Sequence, residues 1–418
     1  MRWLSSALLT MLIVLGHQFS IGIANAQEGD VVGVHDPCII SCDGKWYLFS
    51  TGAGVTVRTS KDLKQWEQVG QALPDFPLWA KDAVPKAEFP WAPDVAFFDG
   101  NYHLYYSVST FGSNRSCIGH ATTPTLDQIS PKFKWIDQGL VVESHPGKDN
   151  FNAIDPNVVL DERGNPWLSF GSFWNGLYIA QLDKSGKAPV GRIRHIAGRS
   201  GGAIEAPFIV RRGKWYYLFV SFDNCCKGAE STYKVMVGRS KHVDGPYLDF
   251  SNKDMVNGGG TLLLASYKNF RGPGHNAVLT GKDASYLVHH FYDESNGGLP
   301  TLQIRPMLWA SDDWPVVGEP GIPEALTKPL VKANMSGKYE HSVDYGKGDS
   351  ISLLASGKIN KNDGRATWLL QNGQLQLRWP RNDAPRGAWV DECFVSPNGN
   401  WYVGRNEQGM IIRGVRID

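Results

Sequence analysis

Five short motifs carry side chains suited to moving protons: His35-Asp36-Pro37, Trp91-Ala92-Pro93-Asp94, Ile154-Asp155-Pro156-Asn157, Ile204-Glu205-Ala206-Pro207 and Gly274-His275-Asn276. Asp36 and His275 are 239 residues apart in four steps, so the motifs recur about every 60 residues. A single Asp-Pro is more often a turn starter. Five in step are not explained that way, because a carboxylate in a strand loses hydration and needs a reason to be kept. The acids are therefore expected at one equivalent place in each repeat, facing a common pocket. Two carboxylates across a pocket with aromatic walls suit the cleavage of a glycosidic bond. One, protonated, gives the leaving oxygen its proton, and the other, ionised, activates water. A third acid close by keeps the donor protonated, since like charges resist joint ionisation. Trp91 is a candidate wall. Asp94 shares the spacing without an evident catalytic part and reads as a substrate-contacting or structural acid.

Elements that would position such groups are visible in the same repeat. A turn containing Gly, Asp or Asn precedes a short aromatic and β-branched run five times, with landmarks Trp46, Tyr102, Trp167, Trp215 and Tyr286 at spacings of 56, 65, 48 and 71 residues. Each reads as a β-hairpin whose second arm is a buried strand. Second turns are expected ahead of further strands at Trp66 and Tyr247. Repeats of this length, built from short strands without helical periodicity, predict an all-β, five-bladed β-propeller over residues 27–323. The first strand of every blade lines the central axis, so equivalent positions converge at one end of it.

After Pro320-Gly321-Ile322-Pro323 the pattern shortens. Residues 335–418 predict a small antiparallel β-barrel-like C-terminal domain, with strands over 350–354, 366–370, 375–379, 401–404 and 410–415. Asp391-Glu392 reads there as a solvated acidic pair. Residues 1–26 have one charge, an apolar run over residues 4–15 and a closing Ala24-Asn25-Ala26, the pattern of a cleaved secretory signal peptide. The expectation is a secreted protein, extracellular or periplasmic, with no membrane span after cleavage.

Lys+Arg 42 against Asp+Glu 41 leaves a net charge of +1, which argues against nucleic acid or an anionic membrane as partner. A monomer is expected. The six cysteines are too few and too irregular for a disulfide scaffold or a zinc ribbon. Cys225-Cys226 admits either a vicinal bridge or two buried thiols. Asn114-Arg115-Ser116 and Asn334-Met335-Ser336 are glycosylation sequons.

The stretches HDPCII, FPWAPDV, YYSVSTFGSN, NAIDPNVVLDERGNPWLSFGSFWNG, IEAPFIV, YYLFVSFDNCCKG, NGGGTLLL, GPGHNAV and TLQIRPMLW run in order through residues 33–310. With them the chain resembles the endo-1,5-α-L-arabinanases of glycoside hydrolase family 43, inverting enzymes on a five-bladed propeller. The resemblance implies that Asp36 is the general base, Glu205 the general acid, and Asp155 the group that raises and orients Glu205. It implies that His275 holds a calcium ion whose other ligands are waters. Phe111 and Trp174 would flank the sugar groove, and Asn152 and Ser172 would bond sugar hydroxyls. Arabinan and arabino-oligosaccharides are the implied partners. Related activities of the family remain as alternatives: an exo-acting arabinanase, an α-L-arabinofuranosidase or a β-xylosidase. So does a non-catalytic sugar-binding propeller. An inverting pair stands about 6.5–9.5 Å apart, leaving room for water.

Overall fold

The computed structural model describes residues 26–281, 284–323 and 331–418. The expected signal peptide, residues 1–26, lies outside the described residues apart from Ala26. No helix among the described residues is long and apolar enough to cross a membrane.

Local turn chemistry starts the first two blades. Cys38–Cys42 pairs with Lys45–Ser50 across Asp43-Gly44, whose φ values of +48° and +76° are both left-handed. Asp99-Gly100 repeats this between Trp91–Phe98 and Asn101–Val108, at +47° and +72°. Such turns match the twist of the strands they join and so fix their register. The second arms, Asn101–Val108 and Trp215–Phe222, are buried beyond their first residue, because neighbouring sheets cover both faces. Each Leu or Phe sealed there contributes about 1.5–3 kcal/mol.

Five sheets result, four of four strands and the first of five. Their inner strands are Cys38–Cys42, Trp91–Phe98, Asn157–Leu160, Ile204–Arg212 and Phe270–Thr280. Each contacts the next, and the fifth contacts the first, closing the ring. The five-bladed propeller expected from the repeat is thus the architecture observed. One detail differs. Tyr247 does not begin a strand, and the outer strand of the fourth blade is Thr261–Leu264. The Tyr247 hydroxyl instead bonds Val243 O at 2.6 Å and fills the blade's core.

Ring closure is not left to side-chain packing. Glu28–Gly29 adds a parallel fifth strand to the outer edge of blade 1, beside Gln65–Gln71. A Cβ at Gly29 would meet Trp66 O at 2.2 Å, so only glycine fits there. The same segment then crosses to blade 5, where Gly33 N–H reaches Pro300 O at 2.8 Å and Leu302 N–H reaches Val31 O at 2.9 Å. Buried Gln27 accepts Ile304 N–H at 3.0 Å. Residues 27–33 are a strap across the seam.

The C-terminal residues form one seven-stranded antiparallel sheet curled into a half-barrel, in the order Asp349–Leu353, Gly337–Val343, Ile411–Arg416, Trp401–Asn406, Ala388–Val395, Gln374–Pro380, Thr367–Gln371. Two of these strands, Gly337–Val343 and Ala388–Val395, were not expected from sequence. The module shares an apolar cluster with blades 4 and 5, in which Tyr345, Val403 and Ile411 meet Leu263, Trp314 and Val316. Arg405 donates to Pro315 O and Leu262 O, and a buried ion pair joins Arg413 to Glu319. Removing one partner of such a pair costs about 3–5 kcal/mol, because the other charge is left buried and uncompensated.

Candidate active site

Within the recurring motif of each blade, one non-glycine residue sits in the left-handed region: Asp36 (φ +51°), Ala92 (+42°), Asp155 (+57°), Ala206 (+57°) and His275 (+43°). Four of the five precede proline, and the last precedes Asn276. Each such residue costs about 1–3 kcal/mol unless its surroundings fix it. They do. Ala92, Asp155 and His275 donate their N–H to hydroxyls of the preceding blade, at Thr51, Ser107 and Ser221, over 2.7, 2.9 and 2.8 Å. Asp36 N–H donates to His290 Nδ1 at 3.1 Å, and Ala206 N–H to Asp155 Oδ2 at 3.1 Å.

This register corrects the expectation that all the acids occupy one equivalent place. Asp36, Asp155 and His275 occupy the left-handed position, Glu205 precedes it by one residue, and Asp94 follows it by two. Position decides role. Asp94 does not line the cavity described below, so its reading as a substrate contact is not supported. Its Oδ2 accepts Val158 N–H at 2.7 Å and Asn157 Nδ2 at 3.3 Å, and so ties blade 2 to blade 3. Asn157, in the equivalent slot, ties blade 3 to blade 4 through Ile209 N–H at 2.8 Å.

Asp36, Asp155 and Glu205 converge on one cavity of about 1050 Å³ at the end of the axis. All three are buried, yet they titrate apart. Burial would raise Asp36, but the His35 and His275 imidazoles outweigh it and hold the carboxyl well below its usual range. His35 Nδ1 and His275 Nδ1 lie 2.8 and 3.0 Å from Oδ1, and Thr51 donates to Oδ2 at 2.6 Å. Burial and the Asp155 charge push Glu205 up to about 8, against the opposing hydrogen bond from Ser172. Ser172 Oγ donates to Glu205 Oε2 at 2.6 Å, and the Tyr233 hydroxyl donates to Oε1. Asp155 is itself raised to about 6, first by burial, and still carries its charge at neutral pH; with Asp36 held low and Glu205 lifted, the first is ionised and the second protonated. One base and one acid, split by environment alone, face a single cavity.

Partners of Asp36 reach further than the first contact. Cys225 and Cys226 are joined in a vicinal disulfide in the cavity wall, which decides between the two states the sequence left open. Cys226 N–H donates to the Tyr292 hydroxyl oxygen at 2.8 Å, leaving the Tyr292 hydrogen free for His35 Nε2 at 2.8 Å. His35 Nε2 is then an acceptor, so Nδ1 carries the proton offered to Asp36. The ring is further fixed by stacking on His290, with centroids 4.1 Å apart.

Trp91, Phe111, Asn152, Ser172, Trp174 and His275 all line the cavity. Phe111 is 81% exposed and rests on Trp91, with centroids 5.3 Å apart, so it belongs to the rim and not to an interblade core. Asn152 Oδ1 is buried without a partner among the described residues, an acceptor waiting for a donor. Ser172 differs from its expected part, since its hydroxyl hydrogen is directed to Glu205. His35, Thr51, Tyr233 and Tyr292 were missed. His35 stands beside Asp36 in the first motif, but its Tyr292 partner lies 257 residues away, and no local signal marks the other three. Asn114 is buried, and its amide donates to Asp149 O and Phe151 O, so that sequon is a structural turn.

Metal chemistry was tested against the donors present. His35, Asp36 and His290 bring three potential ligand atoms together, but both His35 nitrogens and His290 Nδ1 are engaged. At His275, burial favours the neutral ring, while Asp36, Asp155 and Glu205 outweigh it and lift the pKa to about 9. The neighbouring Asn276 has both amide atoms buried without a partner among the described residues. The ionised carboxylates of Asp36 and Asp155 and an orphaned amide suit a hard, oxygen-seeking cation.

Known proteins agree with this geometry. The model for Glycosyl hydrolases family 43 matches residues 31–315. An extracellular exo-alpha-(1->5)-L-arabinofuranosidase of Cellvibrio japonicus is 41% identical over 313 residues, covering 72% of this chain and 90% of its own. An extracellular endo-alpha-(1->5)-L-arabinanase of Bacillus subtilis is 44% identical over 290 residues, covering 68% and 87%. The structure of a Cellvibrio cellulosa alpha-L-arabinanase complexed with arabinohexaose superposes with a TM-score of 0.67 at 43% identity, covering 69% of this chain and 96% of its own. With its propeller, its paired acids and a family match across all five blades, the chain belongs to glycosyl hydrolase family 43.

Proposed function

We propose that the protein is a secreted, inverting endo-hydrolase of the α-1,5-L-arabinofuranosidic bonds of arabinan. The observation that carries this is the pairing of ionised Asp36 with protonated Glu205 across one cavity. Asp36 accepts a proton from water as it attacks the anomeric carbon, and Glu205 gives its proton to the leaving oxygen. Asp155 sustains the proton on Glu205 and, through Ala206 N–H, fixes the backbone beside it. The cavity volume exceeds the common range for single small ligands, about 300–1,000 Å³. That size suits several sugars in a row, and Trp91, Phe111 and Trp174 offer stacking faces. The arabinan linkage itself rests on the relatives. An exo mode is the second reading, since one relative carries an exo name.

Proton NMR of a debranched arabinan digest tests both parts. Inversion yields the β-anomer first, and endo cutting yields mixed oligosaccharides from the outset. The α-anomer first would overturn the water-mediated mechanism, and a single short product from the start would favour the exo reading.

His275, with Asn276 and the nearby carboxylates, would hold a calcium ion. When bound, the ion would add positive charge that keeps Asp36 ionised. Chelation is expected to lower the rate on arabinan, and added calcium to restore it. An unchanged rate and melting temperature would remove the ion from the proposal.

His35 is a positioning residue in this scheme. Tyr292→Phe removes the hydrogen bond that sets its tautomer, and kcat should fall by about tenfold, the equivalent of about 1.4 kcal/mol. KM should be nearly unchanged. Steady-state kinetics check this, and a rise in KM at constant kcat would place Tyr292 in substrate binding instead.

A further inference from the structure

We propose that the mouth of the C-terminal half-barrel is a second carbohydrate site, one that binds a neutral glycan chain without cleaving it. A cavity of about 360 Å³ opens there, lined by side chains from six of the seven strands, among them His341, Trp379, Asp391 and Asn406. Mouths of barrels are favoured ligand sites, and this volume admits a short run of sugars.

Three features of the lining point to a sugar. Trp379 and Trp389 are directly paired across neighbouring strands, so both indoles stand on one face and give the lining an apolar aromatic wall. The C–H face of a sugar ring stacks on such a wall, while its hydroxyls need polar partners. Asp391 supplies one. It is 2% exposed, accepts Trp379 Nε1 at 2.6 Å, and has no cationic partner among the described residues. The sequence reading of Asp391-Glu392 as a solvated pair is corrected here. A buried carboxylate without a cation costs several kcal/mol, and hydroxyl donors from a ligand would offset that cost.

The charges of the rim set the ligand's character. Lys361 lies 3.6 Å from Asp349, and Arg381 is paired with Asp383 at 2.8 Å, so both cations of the rim are already matched by neighbouring carboxylates. His341, bonded to the Tyr402 hydroxyl at 2.8 Å, is pushed by burial down to about 4 and stays neutral. With its cations already paired, the mouth offers no free positive charge to an acidic polymer, and an uncharged one is favoured over it. The identity of that polymer as arabinan rests on the function proposed above. Arg405, Arg413 and the shared apolar cluster fix the module on blades 4 and 5, so a glycan held at the mouth stays attached to the propeller.

Gel retardation on immobilised linear arabinan, and on xylan and galactan as further neutral polymers, tests the proposal with the full chain. Trp389→Ala should weaken retention about tenfold, and Asp391→Asn should weaken it with the fold kept. Hydrolysis of an aryl arabinoside, too short to reach the mouth, should be unchanged in both. Should Trp389→Ala fail to fold, Asp391→Asn decides. Retention equal to the unaltered chain in folded variants would overturn the site, as would no retention of the unaltered chain on any of the polymers. If the protein does not hydrolyse arabinan, the function proposed above fails, while selective loss of retention on another neutral polymer would still support this site.

Discussion

Asp36→Ala is expected to cut turnover on linear arabinan by about 10³–10⁴-fold, at the upper end of what a positioned general base supplies. Oligosaccharide binding should survive, because the stacking faces of Trp91, Phe111 and Trp174 are untouched. The reasoning starts from the environment of the carboxyl. Two imidazoles and the Thr51 hydroxyl meet it within 3.0 Å, which keeps it charged and aimed at the cavity. Alanine leaves the attacking water with no acceptor for its proton. Turnover rates beside oligosaccharide affinities from calorimetry check this. A rate like that of the unaltered protein would take the base away from Asp36.

Glu205→Gln is expected to separate two substrates. On arabinan, whose leaving sugar oxygen needs a proton, the rate should fall by about 10²–10⁴-fold. On an aryl arabinoside, whose phenolate leaves unaided, the fall should be far smaller. Equal losses on both would argue against Glu205 as the acid. The pH profile follows with a definite sign. Glu205 must keep its proton, so activity should decline as pH rises through about 8. Asp155→Asn removes the negative charge that helps hold that proton. The alkaline limb should then move to lower pH, and a limb that stays in place would separate Asp155 from the acid.

Much of this was legible in the chain. The Asp-Gly turns, the aromatic second arms and their spacing gave the propeller and its five blades, because those elements are specified locally. Asp36, Asp155, Glu205 and His275 were found for the same reason, each lying next to a proline or a blade start. What misled was the assumption of one shared position. The repeat is governed by a left-handed residue caught by the preceding blade, and the acids are distributed around it. Asp94 took a structural slot as a result. Tyr233 and Tyr292 were invisible, and the tautomer set on His35 by Tyr292 went unread, because these contacts exist only after blades 1, 4 and 5 meet. In the half-barrel, Gly337–Val343 and Ala388–Val395 were missed because charged residues interrupt their apolar alternation.

The strap across the seam has a consequence for how the protein comes into being. Gln27 grips Ile304, 277 positions later in the chain, so a ribosome delivers one half of the clasp long before the other. Until blade 5 emerges, the growing polypeptide is an open arc with an unpaired flank. Pairings of such long reach form slowly and leave apolar surface on view meanwhile. The catalytic groups come from blades 1, 3, 4 and 5, so no partial product of synthesis holds a working site. Activity arrives all at once, when the circle is fastened.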